Sequence, residues 1–144
     1  MQGLLISMPS ILVQIALPLV LALFHIVGPV PSDLSADGGQ LSSCPGLEHC
    51  ASSQWQVADS SAALKQLSQQ IKDTPRTEIV EQSANYLHAT YSSRIFGFVD
   101  DLELSVTDAV TLEARSISRL GESDLGVNAQ RLEGLGKIIE TSEA

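Results

Sequence analysis

Asp100-Asp101-x-Glu103 brings three carboxylates within four residues, the oxygen-rich chemistry that Mg²⁺ or Ca²⁺ prefers. In an extended strand, alternate side chains point to opposite faces. Asp101 and Glu103 would then share one side and Asp100 the other, so at most two of the three converge. The competing reading is a solvated strand face on which these acids pair with Arg115. Ser93 or Ser123, taken with His88 and Asp101, supplies the residue types of a nucleophile, a base and an orienting acid, but no Gly-x-Ser-x-Gly elbow surrounds either serine. His88 on its own reads as a hydrogen-bonded sheet residue. Cys44, His49 and Cys50 are zinc-ligand types, yet they form an incomplete set of three with two adjacent in sequence, and the cysteine spacing is not that of a C-x-x-C redox pair. Gly121-x-x-x-x-Gly126 ahead of a helical pattern has the outline of an anion-binding turn without its Lys-Ser/Thr. Glu122 and Asp124 would repel an anion there, and Asp124 is better placed to cap the helix itself. No motif calls for a cofactor.

These residues need elements to position them. Asp59 or Ser60 can cap a helix whose Leu64, Leu67 and Ile71 fall on one stripe, with Asp73-Thr74-Pro75 ending it. The period then changes from helical to alternating. Thr77–Gln82 predicts a strand, turned at Ser83-Ala84-Asn85 into a second over Tyr86–Arg94, with Leu87, Ala89 and Tyr91 on one face and His88, Thr90, Ser92 and Arg94 on the other. Leu102, Leu104 and Val106, then Val110, Leu112 and Ala114, predict a hairpin about Thr107-Asp108-Ala109. After a loop at 121–126, Leu132, Leu135 and Ile139 mark a helix that Gly134 and Gly136 each weaken by about 1 kcal/mol unless close packing requires them. The expectation is an α+β fold: a small antiparallel sheet of about four strands with helices on its apolar face.

Ahead of this lies a different kind of sequence. No Asp, Glu, Lys or Arg precedes Asp33, and Leu4 to Val30 is almost continuously apolar. Ile11–Val30 alone supplies the roughly 20 residues that span a hydrocarbon core of about 30 Å. Pro18, costly in an exposed helix, is better tolerated within a membrane. With no basic n-region and only a mediocre cleavage candidate at Ala36, residues 1–30 read as an uncleaved signal anchor or transmembrane helix, in preference to a cleaved signal peptide or a buried core helix. Charge gives no orientation, because the first basic residue is Lys65. Residues 31–43, rich in Pro, Ser, Gly and Asp, read as a linker, and 44–144 as one domain. Leu41-Ser42-Ser43-Cys44 has the pattern of a lipoprotein box but sits too far from the apolar run. Cys44 and Cys50, just beyond an export-type segment, are instead expected to form a disulfide in an oxidising compartment. The net charge of -9 excludes a nucleic-acid partner.

A set of local strings carries a resemblance. In order they are Cys44-Pro45, Cys50 with Ser52-Ser53-Gln54, Pro75-Arg76-Thr77-Glu78-Ile79-Val80, Tyr86-Leu87-His88-Ala89, Ser93-Arg94-Ile95-Phe96, Phe98-Val99-Asp100-Asp101-Leu102-Glu103, Arg115-Ser116 and Ser123-Asp124-Leu125-Gly126-Val127-Asn128. Over residues 44 to about 139 the chain resembles the domain of unknown function 1499 family of bacteria, cyanobacteria among them, and plastids. The resemblance implies an exported or membrane-tethered domain and carries no established activity. Two departures stand out: Pro45-Gly46-Leu47-Glu48-His49 between the cysteines, and Ala129-Gln130 where the family is more basic.

The function expected is binding or assembly beside a membrane complex, photosynthetic in one version, in the periplasm or thylakoid lumen. Residues 4–30 would supply the contact with the membrane. A small exported hydrolase-like enzyme or a divalent-metal-binding domain is the alternative. Alternation groups His88, Arg94, Asp101, Glu103 and Arg115 on the non-core sheet face, and Arg119, Asp124 and Asn128 are expected to border them as one polar pocket.

Overall fold

The computed structural model describes residues 27–34 and 40–143. The apolar segment expected to anchor the chain lies outside the described residues except for 27–30, and among those described no helix is long and apolar enough to cross a membrane. The elements run β1 (Cys50–Gln56), α1 (Ser60–Lys72), β2 (Thr77–Gln82), β3 (Tyr86–Ser92), β4 (Val99–Asp108), β5 (Thr111–Ser118) and α2 (Val127–Glu143). They build one antiparallel sheet in the order β1-β5-β4-β3-β2, with both helices packed on the same face. Strands β2 to β5 form a meander. Helix α1 carries the chain across the sheet, from β1 at one edge to β2 at the other.

Local chemistry starts and stops the helices. The Asp59 carboxylate accepts from the Ala62 amide at 2.9 Å, while the Ser60 amide donates to the Ala109 carbonyl and ties the helix start to the β4–β5 turn. Thr74 closes the last turn of α1 on the Ile71 carbonyl, and Pro75 then has no amide with which to continue. Asp124 caps α2, accepting from the Gly126 amide at 2.8 Å and the Asn128 amide at 3.0 Å. Ala63, Leu64, Leu67 and Ile71 from α1 and Leu132, Leu135 and Ile139 from α2 bury against Leu87, Ala89, Leu102, Leu104, Leu112 and Ala114 of the sheet. Each fully buried Leu or Ile contributes about 1.5–3 kcal/mol. Gly136 is required by contact: a Cβ there would sit 2.9 Å from Trp55 Nε1, so α2 and β1 approach closely. Gly134 would meet nothing within 4 Å, and packing does not account for it.

The sheet has five strands where four were expected. In β1 (CASSQWQ) only Trp55 is a large apolar residue, and Ala51 and Ser53, which share its face, give no hydrophobic alternation. This strand is specified by pairing with β5 along its length, from Cys50 opposite Ile117 to Gln56 opposite Thr111. Val110 is an exposed turn residue and not the first of the β5 set, and β3 stops at Ser92, two residues short of Arg94. The described parts of the expected linker are held against the outer side of β5. Asp33 pairs with Arg115 at 2.7 Å, the Leu41 amide donates to Glu113 at 3.4 Å, and the Ser42 hydroxyl donates to the Asp33 carbonyl at 2.8 Å.

Candidate functional site

The sheet face turned away from the helices carries a row of charged and polar side chains. Cross-strand register determines which of them meet. His88 lies opposite Glu103, Thr90 opposite Asp101, and Glu103 opposite Arg115. Arg119 follows β5 and turns its guanidinium back onto Asp101, with Nε at 2.8 Å from one carboxylate oxygen and Nη2 at 2.9 Å from the other. His88 Nε2 lies 2.7 Å from Asp101 Oδ1. An ionised carboxylate only accepts, so His88 holds a proton on Nε2 and donates it to this contact. Glu103 accepts from Tyr86 Oη at 2.8 Å and from Arg115 Nη1 at 3.1 Å. Arg115 Nη2 reaches Asp33, so one member of the cluster comes from the stretch ahead of the domain.

The centre of this face is buried, which corrects the expectation of a solvated one: Asp101 is 0 % exposed, Glu103 1 % and Arg115 1 %. Buried charges persist only when paired and hydrogen-bonded. Burial alone would raise the Asp101 carboxyl, but its hydrogen bonds and opposite charges from Arg119 and His88 outweigh that and hold it below the usual carboxylate range. The same contact raises Arg119. Burial first, then the neighbouring Glu103, push the Tyr86 phenol upward, so it remains a donor. Arg115 Nε is buried without a hydrogen-bond partner.

A second polar cluster occupies the helix side. Asp100 accepts from Ser118 Oγ at 2.6 Å and from Arg131 Nη2 at 2.7 Å. Arg131 also donates to Ser116 Oγ and Asn128 Oδ1, and its guanidinium lies 4.3 Å from the centre of the Tyr91 ring. Asn128 is fully buried and donates to the His49 carbonyl, Ser118 Oγ and Asp124. Beside this cluster a cleft of about 350 Å³ opens between the β3–β4 loop and the loop ahead of α2, with Phe96, Phe98, Leu120, Leu125 and Val127 as its apolar walls.

The expected site is therefore divided. His88, Asp101, Glu103, Arg115 and Arg119 come together on the outer face. Asp124 and Asn128 belong to the opposite side, because the α2 cap packs beneath the sheet. Arg94 is exposed in the turn after β3 and joins neither cluster. No nucleophile set assembles: the hydroxyl oxygens of Ser93 and Ser123 accept from the Phe98 and Leu125 amides in exposed loops, while His88 is engaged with Asp101. Cys44 and Cys50 form the expected disulfide, which removes both sulfurs from any zinc set with His49. Among the described residues no group of three or more His, Cys, Asp or Glu is arranged to hold a metal ion. Among the participants missed from sequence are Tyr86, Arg131 and Asp33. Tyr86 shares the face of His88 by simple alternation, and Arg131 lies one helical turn from Asn128, so both were within reach. Asp33 sits in a stretch without periodicity and carried no signal.

No curated protein matches the chain. Residues 40–138, more than half of the sequence, match the family described as Protein of unknown function (DUF1499), and the chain belongs to that family.

Proposed function

We propose that this chain is a membrane-tethered extracytoplasmic domain that serves binding or assembly beside a membrane complex, in the periplasm or thylakoid lumen. The observation that carries this reading is the closed state of the outer cluster. Asp101 and Glu103 are both engaged by arginines, and Arg115 holds Asp33 of the segment that leads toward the apolar run. Carboxylates so occupied serve as structural counter-charges, and a pair that fastens the linker to the sheet fixes how the domain sits relative to its tether. The Cys44–Cys50 disulfide supports an oxidising compartment. Leu4–Val30 supports the tether by its length and apolarity.

The test is purification of the full-length protein from native membranes, with mass spectrometry of what accompanies it. A membrane complex is expected at constant ratio, and D33N should lower its recovery several-fold while the domain remains folded. Recovery of the protein alone, together with ester or amide turnover by the pure protein, would overturn the reading. Alkylation of both cysteines in freshly isolated protein would remove the argument for an oxidising compartment.

A further inference from the structure

The cleft walls, with Ile95 beside them, bring several exposed apolar residues to one end of the sheet. Leu125 is 88 % exposed and Ile95 70 %, and Phe96, Phe98 and Val127 are each more than two-fifths exposed. Phe96 and Phe98 stack with ring centroids 5.5 Å apart. The Ser93 and Phe98 backbones bond to each other at 2.8 Å, closing the loop and holding Ile95 and Phe96 at its tip. Leu125 has a φ of 54°, a left-handed conformation that non-glycine residues seldom adopt. The turn that caps α2 holds its backbone, with its amide donating to Ser123 Oγ at 3.3 Å, and leaves its side chain facing water. Contiguous apolar surface of this kind marks an interaction site.

The position of the chain identifies what covers it. Register places the cleft at the end of the sheet where Cys50, Ser92, Val99, Asp100 and Ser118 lie. The last residues of the apolar run, Val27–Val30, lie at this same end. Gly28 has a φ of 73° and passes so near Leu120, a cleft wall, that a Cβ on it would be 2.7 Å from Leu120 Cγ. Val27 and Val30 on either side are themselves about half exposed. We infer that the patch of Ile95, Phe96, Phe98, Leu120, Leu125 and Val127 docks in the interface of the bilayer that receives residues 4–30, so that the domain lies against the membrane by its cleft end. This rests on the tether reading and goes beyond it, since a tether alone leaves the domain free to face any direction. Binding here comes from apolar area; the chain's net charge of -9 gives no attraction to anionic lipid.

Trp55 is the only tryptophan, and it lies near the other end of the sheet, five strand residues beyond Cys50 or about 17 Å at the rise of an extended chain. The full chain would be reconstituted into phosphatidylcholine vesicles with acyl chains brominated near the headgroup. Flotation reports the tether, and tryptophan quenching reports the patch. W55F/F98W and, separately, W55F/L125W should each lose about half their emission, because an apolar face settles about 5–10 Å into the headgroup boundary, whereas wild-type Trp55 should be unaffected. Leu125 is a loop-tip side chain, so its replacement guards against misfolding at Phe98. Flotation without quenching at either position would overturn the docking and leave the tether standing, with a protein partner then covering the patch. Failure to float would overturn both.

Discussion

Asp100 and Asp101 are neighbours in sequence and opposites in surroundings. Alternation sends Asp100 to the helix side, where Ser118 and Arg131 hold it and its side chain keeps 15 % exposure. Asp101 turns to the outer face, where Arg119 grips both oxygens, His88 donates a third bond, and no exposure remains. The difference between them is access to water more than number of partners. A partner lost from Asp100 can be replaced by solvent at the cleft. A partner lost from Asp101 leaves a charge with nowhere to go.

The largest expected effect follows from that contrast. D101N strands Arg119 and should cost about 3–5 kcal/mol of unfolding free energy, as removal of one partner from a buried ion pair does. D100N should cost about 1.5–3 kcal/mol, the range for a hydrogen bond to a charged group. Denaturant titration of both variants checks the order, and equal losses would break the comparison. Y86F, which takes one donor from buried Glu103, should cost about 1–3 kcal/mol by the same measurement, below the loss for D101N.

Acid sharpens the contrast without mutation. Asp101 has a lowered folded value, so its contribution is fully present above the unfolded carboxylate value of about 3.9 and is lost as pH falls through the folded value. Melting temperature should therefore drop below about pH 4, and D101N should show a shallower acid limb than wild type. An unchanged limb would mean that other carboxylates govern acid unfolding. The smallest effect belongs to D33N. Its carboxylate is 45 % exposed, and solvent screening limits the expected loss to about 1 kcal/mol or less. The clearer readout is local: limited proteolysis within residues 31–43 should accelerate several-fold while global stability hardly moves.

Much of this architecture was legible because periodicity survives wherever one face is dry and apolar. Leu64, Leu67 and Ile71 marked α1, and Leu102 and Leu104 against Leu112 and Ala114 marked the β4–β5 hairpin. The same alternation separated Asp100 from Asp101 and gathered His88, Glu103 and Arg115. It could not tell that the centre of the outer face is buried, since polar residues on alternate positions look alike whether water or protein covers them. Nor could it bring in Asp33, whose contact with Arg115 joins residues far apart in sequence through a segment with no pattern. Placing Asp124 and Asn128 required knowing that α2 lies beneath the sheet, a matter of tertiary packing. Arg94 failed for a smaller reason: the strand ended two residues early, and the face rule ended with it.

The strand order has a consequence for the time at which the domain is made. As the chain emerges from its amino end, β1 appears first, but its only neighbour, β5, appears last. Joining two such distant segments is slow, because a long loop must close before any pairing rewards it. Until then β1 is an unpaired edge. The disulfide can close meanwhile, as it needs only residues 44–50. What keeps a waiting strand from pairing with the wrong chain is its composition: Ser52, Ser53, Gln54 and Gln56 make a poor template for aggregation. The polarity that hid β1 from the hydrophobic pattern also protects the nascent chain during synthesis.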